Sequence, residues 1–201
     1  MSLTKPTFNT PIIGIAGWKK SGKTTLAVRL VEEFARRGLK VATIKHAHHE
    51  FQVDDAETDS ARHRRAGASE VAIIGGKRWA IVHELADEPE PNFDEVVAWM
   101  SPADLVIVEG YKTAPIPKIE ARRSSQRDKR PLAGDDARVI AIAADHVVEE
   151  SRLPVFNLDE VRAIADFIEQ TIGPFRPRAA RSASQLDEPA RLRLPAPEDQ
   201  E

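Results

Sequence analysis

Gly17-Trp18-Lys19-Lys20-Ser21-Gly22-Lys23-Thr24-Thr25 fits the phosphate-loop pattern G-x-x-x-x-G-K-[ST] at every fixed position. Before it, Pro11-Ile12-Ile13-Gly14-Ile15-Ala16 is an apolar run of buried-strand length, and after it apolar residues recur at helical spacing. In the order strand, loop, helix, glycines at 17 and 22 let the main chain wrap closely around an anion. Successive N–H groups and the positive end of the helix dipole supply the attraction. Lys23 offers a point charge for terminal phosphates and Thr24 a hydroxyl for Mg²⁺, while Lys19 and Lys20 add positive charge. Ser21 and Thr25 complete the candidate binding stretch. An ordinary glycine-containing turn is the competing reading, and the flanking strand and helix count against it.

Working outward, Leu26, Leu30 and Phe34, with Ala27, Val31 and Ala35, make adjacent i, i+4 rows on one helix. Arg29, Glu32, Glu33, Arg36 and Arg37 are expected to face away, and Gly38 to end the helix. Residues 40–45 then read as a second strand, completing a β-α-β unit with a right-handed crossover.

Three carboxylates are candidates beside the loop. Asp104-Leu105-Val106-Ile107-Val108-Glu109-Gly110 reads as a strand buried on both faces, and ligands of open parallel sheets sit at the carboxyl ends of strands. Glu109 therefore lands where it can hold Mg²⁺ or orient an attacking water; the plainer alternative is a charged residue leaving a sheet. Residues 58–66 read as a short helix stopped by Gly67. Asp59 in its first turn either complements the helix dipole or serves magnesium and water. The apolar run 139–144 ends at Asp145, which either reads the N1–H and 2-amino group of guanine or is a plain loop aspartate. The usual guanine-reading motif, Asn-Lys-x-Asp, does not occur in the chain.

The remaining stretches fill in the frame. His46, His48 and His49 stand close together, but without cysteines or an obvious fourth ligand a solvated or nucleotide-facing loop is preferred to a zinc site. Residues 70–74 and 78–83 flank Gly75-Gly76-Lys77 as a hairpin, with Trp79 expected in the core. Asn92 and Glu95 form a capping box, residues 117–122 another strand, and 153–156 a last one. Asn157 with Glu160 is expected to cap a final helix that Gly173-Pro174 stops. The basic run 122–130 is a solvated loop, a lid over a nucleotide, or a site for a second phosphorylated ligand. The expected division is an N-terminal extension 1–10, a nucleotide-binding domain 11–173 and a flexible tail 174–201.

Composition sets the limits. The chain has 201 residues, enough for one core, and a net charge of −3, so no global basic field draws it to nucleic acid. It has no cysteine, which removes disulfides and thiolate chemistry. No stretch reaches 18 apolar residues and no signal-peptide core opens it, so a cytoplasmic protein away from membranes is expected.

Taken together, the loop 17–25, Ile44-Lys45-His46 with His48 and His49, Asp59-Ser60 leading to Ala66-Gly67-Ala68, residues 104–112 and Pro117-Lys118-Ile119-Glu120 resemble the MobB family of molybdopterin-guanine dinucleotide biosynthesis proteins. The resemblance spans residues 11–172 and is specific in combination. It implies an α/β P-loop NTPase fold of three layers, with a mostly parallel sheet and an antiparallel hairpin addition. It also implies a dimeric, GTP- and Mg²⁺-binding, slowly hydrolysing accessory protein. The implied partners are molybdopterin and the MobA-like molybdenum cofactor guanylyltransferase that attaches GMP to it. The phosphate loop and Glu109 carry over, and Asp59 and Asp145 less directly; residues 122–130 and the tail match nothing in the family pattern. A small-molecule kinase using 122–130 as a lid, and a nucleotide-gated adaptor with incidental hydrolysis, remain the alternatives.

Overall fold

The computed structural model describes residues 10–47, 53, 57–128, 130–149 and 151–175. Along the chain come β1 (Ile12–Ala16), α1 (Lys23–Arg36), β2 (Val41–Lys45), α2 (Asp59–Arg65), β3 (Glu70–Ile74), β4 (Trp79–His83), α3 (Phe93–Trp99), β5 (Leu105–Glu109), β6 (Lys118–Arg122), β7 (Val139–Ala144), β8 (Val155–Asn157) and α4 (Val161–Ile172). These elements fall into two units, one formed by 1–46 with 100–201 and the other by 47–99.

In the first unit six strands form a sheet in the order β2-β5-β1-β6-β7-β8, every neighbouring pair parallel. The unbroken apolar runs of β1, β5 and β7 explain their central places, since a strand covered on both faces carries apolar residues throughout. Register brings the carboxyl ends level: Glu109 lies opposite both Ile15 and Lys45, and Ala16 lies opposite Glu120.

On one face Ile13, Ile15, Ile107, Ile119 and Ala141 pack with Leu26, Leu30 and Phe34 of α1 and Ile164 and Ile168 of α4. Each such Ile, Leu or Phe side chain taken from water contributes about 1.5–3 kcal/mol. On the other face β6 turns two charges inward. Lys118, 1% exposed, donates from Nζ to Ala114 O (2.7 Å) and Asp136 Oδ2 (3.0 Å). Glu120, also 1% exposed, accepts from the N–H groups of Leu132 and Ala133, both at 2.9 Å, and from Arg122 at 2.7 Å. Loop segments 111–117 and 130–138 are thereby clasped to the sheet.

Several expectations shift. Glu33 does not face solvent: it is buried beneath Arg36 (2.8 Å) and Arg37 (2.9 Å). Arg37 goes on to Asp166 and Glu169 of α4, so what reads as a polar stripe on α1 is an interhelical ion network. The Asn157–Glu160 pair forms a turn ahead of α4, with Asn157 N donating to Glu160 Oε2 at 2.9 Å, and the helix begins just beyond it. Phe175, placed in the tail by the expected division, is buried edge-on against Phe34 with centroids 5.6 Å apart. Residues 176–201 and 1–9 lie outside the described residues.

In the second unit Thr58 caps α2 by accepting from Ala61 N, and Asn92 with Glu95 makes the expected capping box on α3. The antiparallel pair β3-β4 is present, as a two-stranded sheet of its own and not as an edge of the larger one. Trp79 is not a core residue. It is 66% exposed and sits across from Ile74, because a two-stranded ribbon has few layers in which to hide a side chain. Among the described residues no helix is long and apolar enough to cross a membrane.

The Glu33 cluster sets an acid dependence. Hydrogen bonds from Arg36, with Arg37 beside it, hold the Glu33 carboxyl down to about 2 from its ordinary 4.5. The folded value is depressed, so its stabilisation is present above about pH 4.5 and is lost as pH falls towards 2. Glu33→Gln is expected to destabilise the protein by about 1–3 kcal/mol at neutral pH. The difference from the parent should shrink on acidification, as measured by denaturant titrations from pH 7 to 2.

Candidate functional site

The loop between β1 and α1 is shaped by residues with positive φ: Gly17 at 148°, Lys20 at 67° and Gly22 at 91°. A Cβ on Gly17 would collide with Ser21 Oγ and stand 2.6 Å from the Ala121 carbonyl of β6, so the loop lies hard against that strand. Ser21 N (3.1 Å) and Lys23 Nζ (2.7 Å) both donate to the Trp18 carbonyl, which curls the loop and aims the ammonium across it. Gly22, the N-cap of α1, provides no side-chain cap, and the first helical turn carries no acid. The helix therefore turns uncompensated amides and its positive end towards the loop. A cavity of about 320 Å³ opens there, lined by Lys20, Ser21, Gly22, Lys23, Thr24, Thr25 and Arg123.

Glu109 reaches the same place from the end of β5. The Thr24 hydroxyl donates to Glu109 Oε1 at 2.5 Å, and Lys45 Nζ lies 3.6 Å from Oε2. Burial lowers the pKa of Lys23; Glu109 pulls it back up, and Lys112 and Lys45 press it down further. A hydroxyl and a carboxylate joined at the mouth of a cationic loop form the hard-oxygen donor set that Mg²⁺ takes alongside phosphate. The glycine cradle and the buried Ser21 Oγ, which has no hydrogen-bond partner among the described residues, fit a polyanion.

The other candidates are placed as follows. Lys19 is exposed in the loop, and Thr25 opens the cavity from the first turn of α1. Asp145, just past β7, accepts from Ser124 N (2.7 Å) and lies 3.0 Å from His146 Nδ1, which holds its carboxyl below the usual range. Asp59 belongs to the second unit, where its carboxylate is exposed and 3.6 Å from Arg62. His46 stacks on Tyr111 with centroids 4.3 Å apart; His48 and His49 lie outside the described residues.

Sequence reasoning missed what surrounds Trp18. Its indole Nε1 donates to the Arg130 carbonyl at 2.7 Å, Lys112 Nζ stands 3.7 Å from its ring centroid, and Arg130 Cζ stands 4.7 Å away. The basic run itself was visible, but its docking on the phosphate loop joins residues 112 positions apart and leaves no local signal.

A family model described as MobB, Molybdopterin guanine dinucleotide synthesis protein B, matches residues 12–145, a stretch that contains the whole phosphate loop, Asp59, Glu109 and Asp145. The chain belongs to the MobB family. It is 39% identical over 173 residues to a molybdopterin-guanine dinucleotide biosynthesis adapter protein of Haemophilus influenzae, covering 82% of this chain and 91% of that one. It is 34% identical over 160 residues to the Escherichia coli protein of that description, covering 79% and 91%. Among solved MobB structures, a crystal structure of molybdopterin-guanine biosynthesis protein B superimposes with a TM-score of 0.61 at 28% identity, over 80% of this chain and 98% of that one. The MobB homologue from Bacillus stearothermophilus gives 0.57 at 26% identity, over 79% and 98%. The mostly parallel sheet flanked by helices is thus the P-loop fold of MobB.

The two glycines of this MobB loop should differ in tolerance. Gly17→Ala drives a methyl into the Ala121 carbonyl and buried Ser21, whereas Gly22→Ala meets the arm of Arg123, which can swing. Both incur left-handed strain of about 1–2 kcal/mol. Thermal melts are expected to show the larger loss for Gly17→Ala.

Proposed function

We propose that this chain is a GTP-binding adapter of molybdopterin-guanine dinucleotide biosynthesis, assisting the enzyme that attaches GMP to molybdopterin. The observation that carries the nucleotide part is the Thr24–Glu109 hydrogen bond at the mouth of the loop that Lys23 spans. The pathway part follows the names of the adapter proteins it is similar to. Lys23 is aimed by the Trp18 carbonyl to neutralise the terminal phosphates, and the amides after Gly22 receive the phosphate oxygens. Thr24 and Glu109 would hold Mg²⁺, which would supply neutralisation of phosphate charge. Glu109 is also proposed to orient the attacking water. Hydrolysis on the order of 10⁻⁴ to 10⁻² per second is expected of such a site without an arginine brought by a partner.

Asp145, at the carboxyl end of β7, is proposed to favour guanine; a base bound there competes with Ser124 for its oxygens. The role of Asp59 at the metal rests on its position after β2. The homodimer, the cytoplasmic location, and molybdopterin and a MobA-like guanylyltransferase as partners belong to the same proposal. The kinase reading is weakened by the attachment of its would-be lid: Glu120 holds Leu132 and Ala133, and Trp18 holds Arg130.

Calorimetry with GTP and ATP in Mg²⁺ tests this reading. GTP is expected to bind, Lys23→Ala to weaken binding at least about 100-fold, and Glu109→Gln to remove most of the Mg²⁺ dependence. Absence of GTP binding by the parent protein overturns the proposal. Gating would show as unequal affinity for the guanylyltransferase with GTP, GDP and no nucleotide.

A further inference from the structure

Arg123 is an arginine of the basic run for which the described residues supply no hydrogen-bonding or acidic partner. Its neighbours are accounted for: Arg122 pairs with Glu120 at 2.7 Å and Arg130 with Asp128 at 2.7 Å. Arg123 follows β6 and turns back over the phosphate loop. The turn is fixed by Gln126, 5% exposed, whose Oε1 accepts from Arg123 N at 3.3 Å while its own N–H donates to Arg123 O at 3.1 Å. The next residue, Ser124, is pinned by Asp145.

From this anchored backbone the guanidinium crosses Gly22. Nε stands 2.6 Å, and Cζ 3.3 Å, from where a Cβ on Gly22 would be. Nε is buried and makes no hydrogen bond among the described residues, and no carboxylate among them pairs with Arg123. It shares its cavity with Lys20 and Lys23, so like charges converge on one space that no carboxylate among the described residues lines. A second group in the same loop, the Ser21 hydroxyl, is 0% exposed and equally unpartnered. A buried donor left unmade is costly, and a guanidinium beside bare helix amides is the arrangement in which a phosphate oxygen satisfies both.

We propose that Arg123 is a phosphate-binding residue of this site, donating from the β6 side to the nucleotide held by residues 17–25. In the strand order β5-β1-β6 it approaches opposite Glu109, so one flank of the loop carries the metal-side carboxylate and the other a cation on an anchored backbone. This rests on the nucleotide reading above, and the test separates the two.

The full-length protein is titrated calorimetrically with GTP, GDP and guanosine in Mg²⁺, comparing the parent with Arg123→Gln, Arg123→Lys, Lys23→Ala and, as a control, the exposed Arg127→Gln. Arg123→Gln is expected to lose about 10- to 100-fold in GTP affinity and to flatten its salt dependence. Arg123→Lys should recover part of the loss, and Arg127→Gln should match the parent. A loss confined to GTP assigns the contact to the γ-phosphate, and one shared with GDP assigns it to the inner phosphates; both uphold the proposal. Thermal melts check folding, and if Arg123→Gln does not fold, a loss of about fivefold or more in Arg123→Lys stands in its place. Undiminished GTP affinity in the Arg123 variants, while Lys23→Ala is impaired, overturns the Arg123 assignment alone. An equal loss for guanosine, which has no phosphate, also overturns it. No GTP binding by the parent overturns the nucleotide reading itself.

Discussion

A carboxylate with almost no access to water, Glu120, holds the site together. It gathers the main-chain amides of Leu132 and Ala133 and the guanidinium of Arg122 on the inner side of β6. A charge so enclosed is tolerable only when every lone pair is used, and removing one partner of such a group typically costs about 3–5 kcal/mol. The reward is positional. The described residues of 123–128 and 130–133 form no helix or strand, yet they are tied to the sheet at fixed points. Arg123 and Arg130 therefore arrive at the phosphate loop from an anchored backbone. Lys118 does the same for the neighbouring turns through Ala114, Ile116 and Asp136.

The parallel sheet adds the second constraint. Because β1, β2, β5, β6 and β7 end at one edge, whatever follows them is delivered to one neighbourhood: the phosphate loop after β1, Glu109 at the end of β5, Arg123 after β6 and Asp145 after β7. Burial lowers the Lys23 pKa first, Glu109 opposes it, and Lys112 and Lys45 at the same edge press it down further. An arriving anion relieves this repulsion, which favours binding a polyphosphate over a neutral ligand.

The parts of this structure that are written locally were legible. A loop pattern with fixed glycines, apolar runs without polar interruption and a capping box each report on a few adjacent residues, and the structure places them within a residue or two of the reading. What could not be read depends on partners far along the chain. The strand Lys118-Ile119-Glu120-Ala121-Arg122 alternates charge and apolarity like a half-exposed strand, and nothing nearby tells that its charged side is buried as well. Glu33 looks like any acid on an amphipathic helix until α4 brings Asp166 and Glu169 to share its arginine. Trp79 misled in the opposite direction, since aromatic content signals a core only where enough layers exist to enclose it.

The position of Trp18 has an optical consequence. Its indole is part of the loop, hydrogen-bonded to the segment that carries Arg123, with an ammonium and a guanidinium close to its ring. The other two tryptophans of the chain, Trp79 and Trp99, are exposed and belong to the other unit. With phenylalanine at those two positions the protein would carry a single tryptophan. Its emission would register the charge state of the loop without any attached dye.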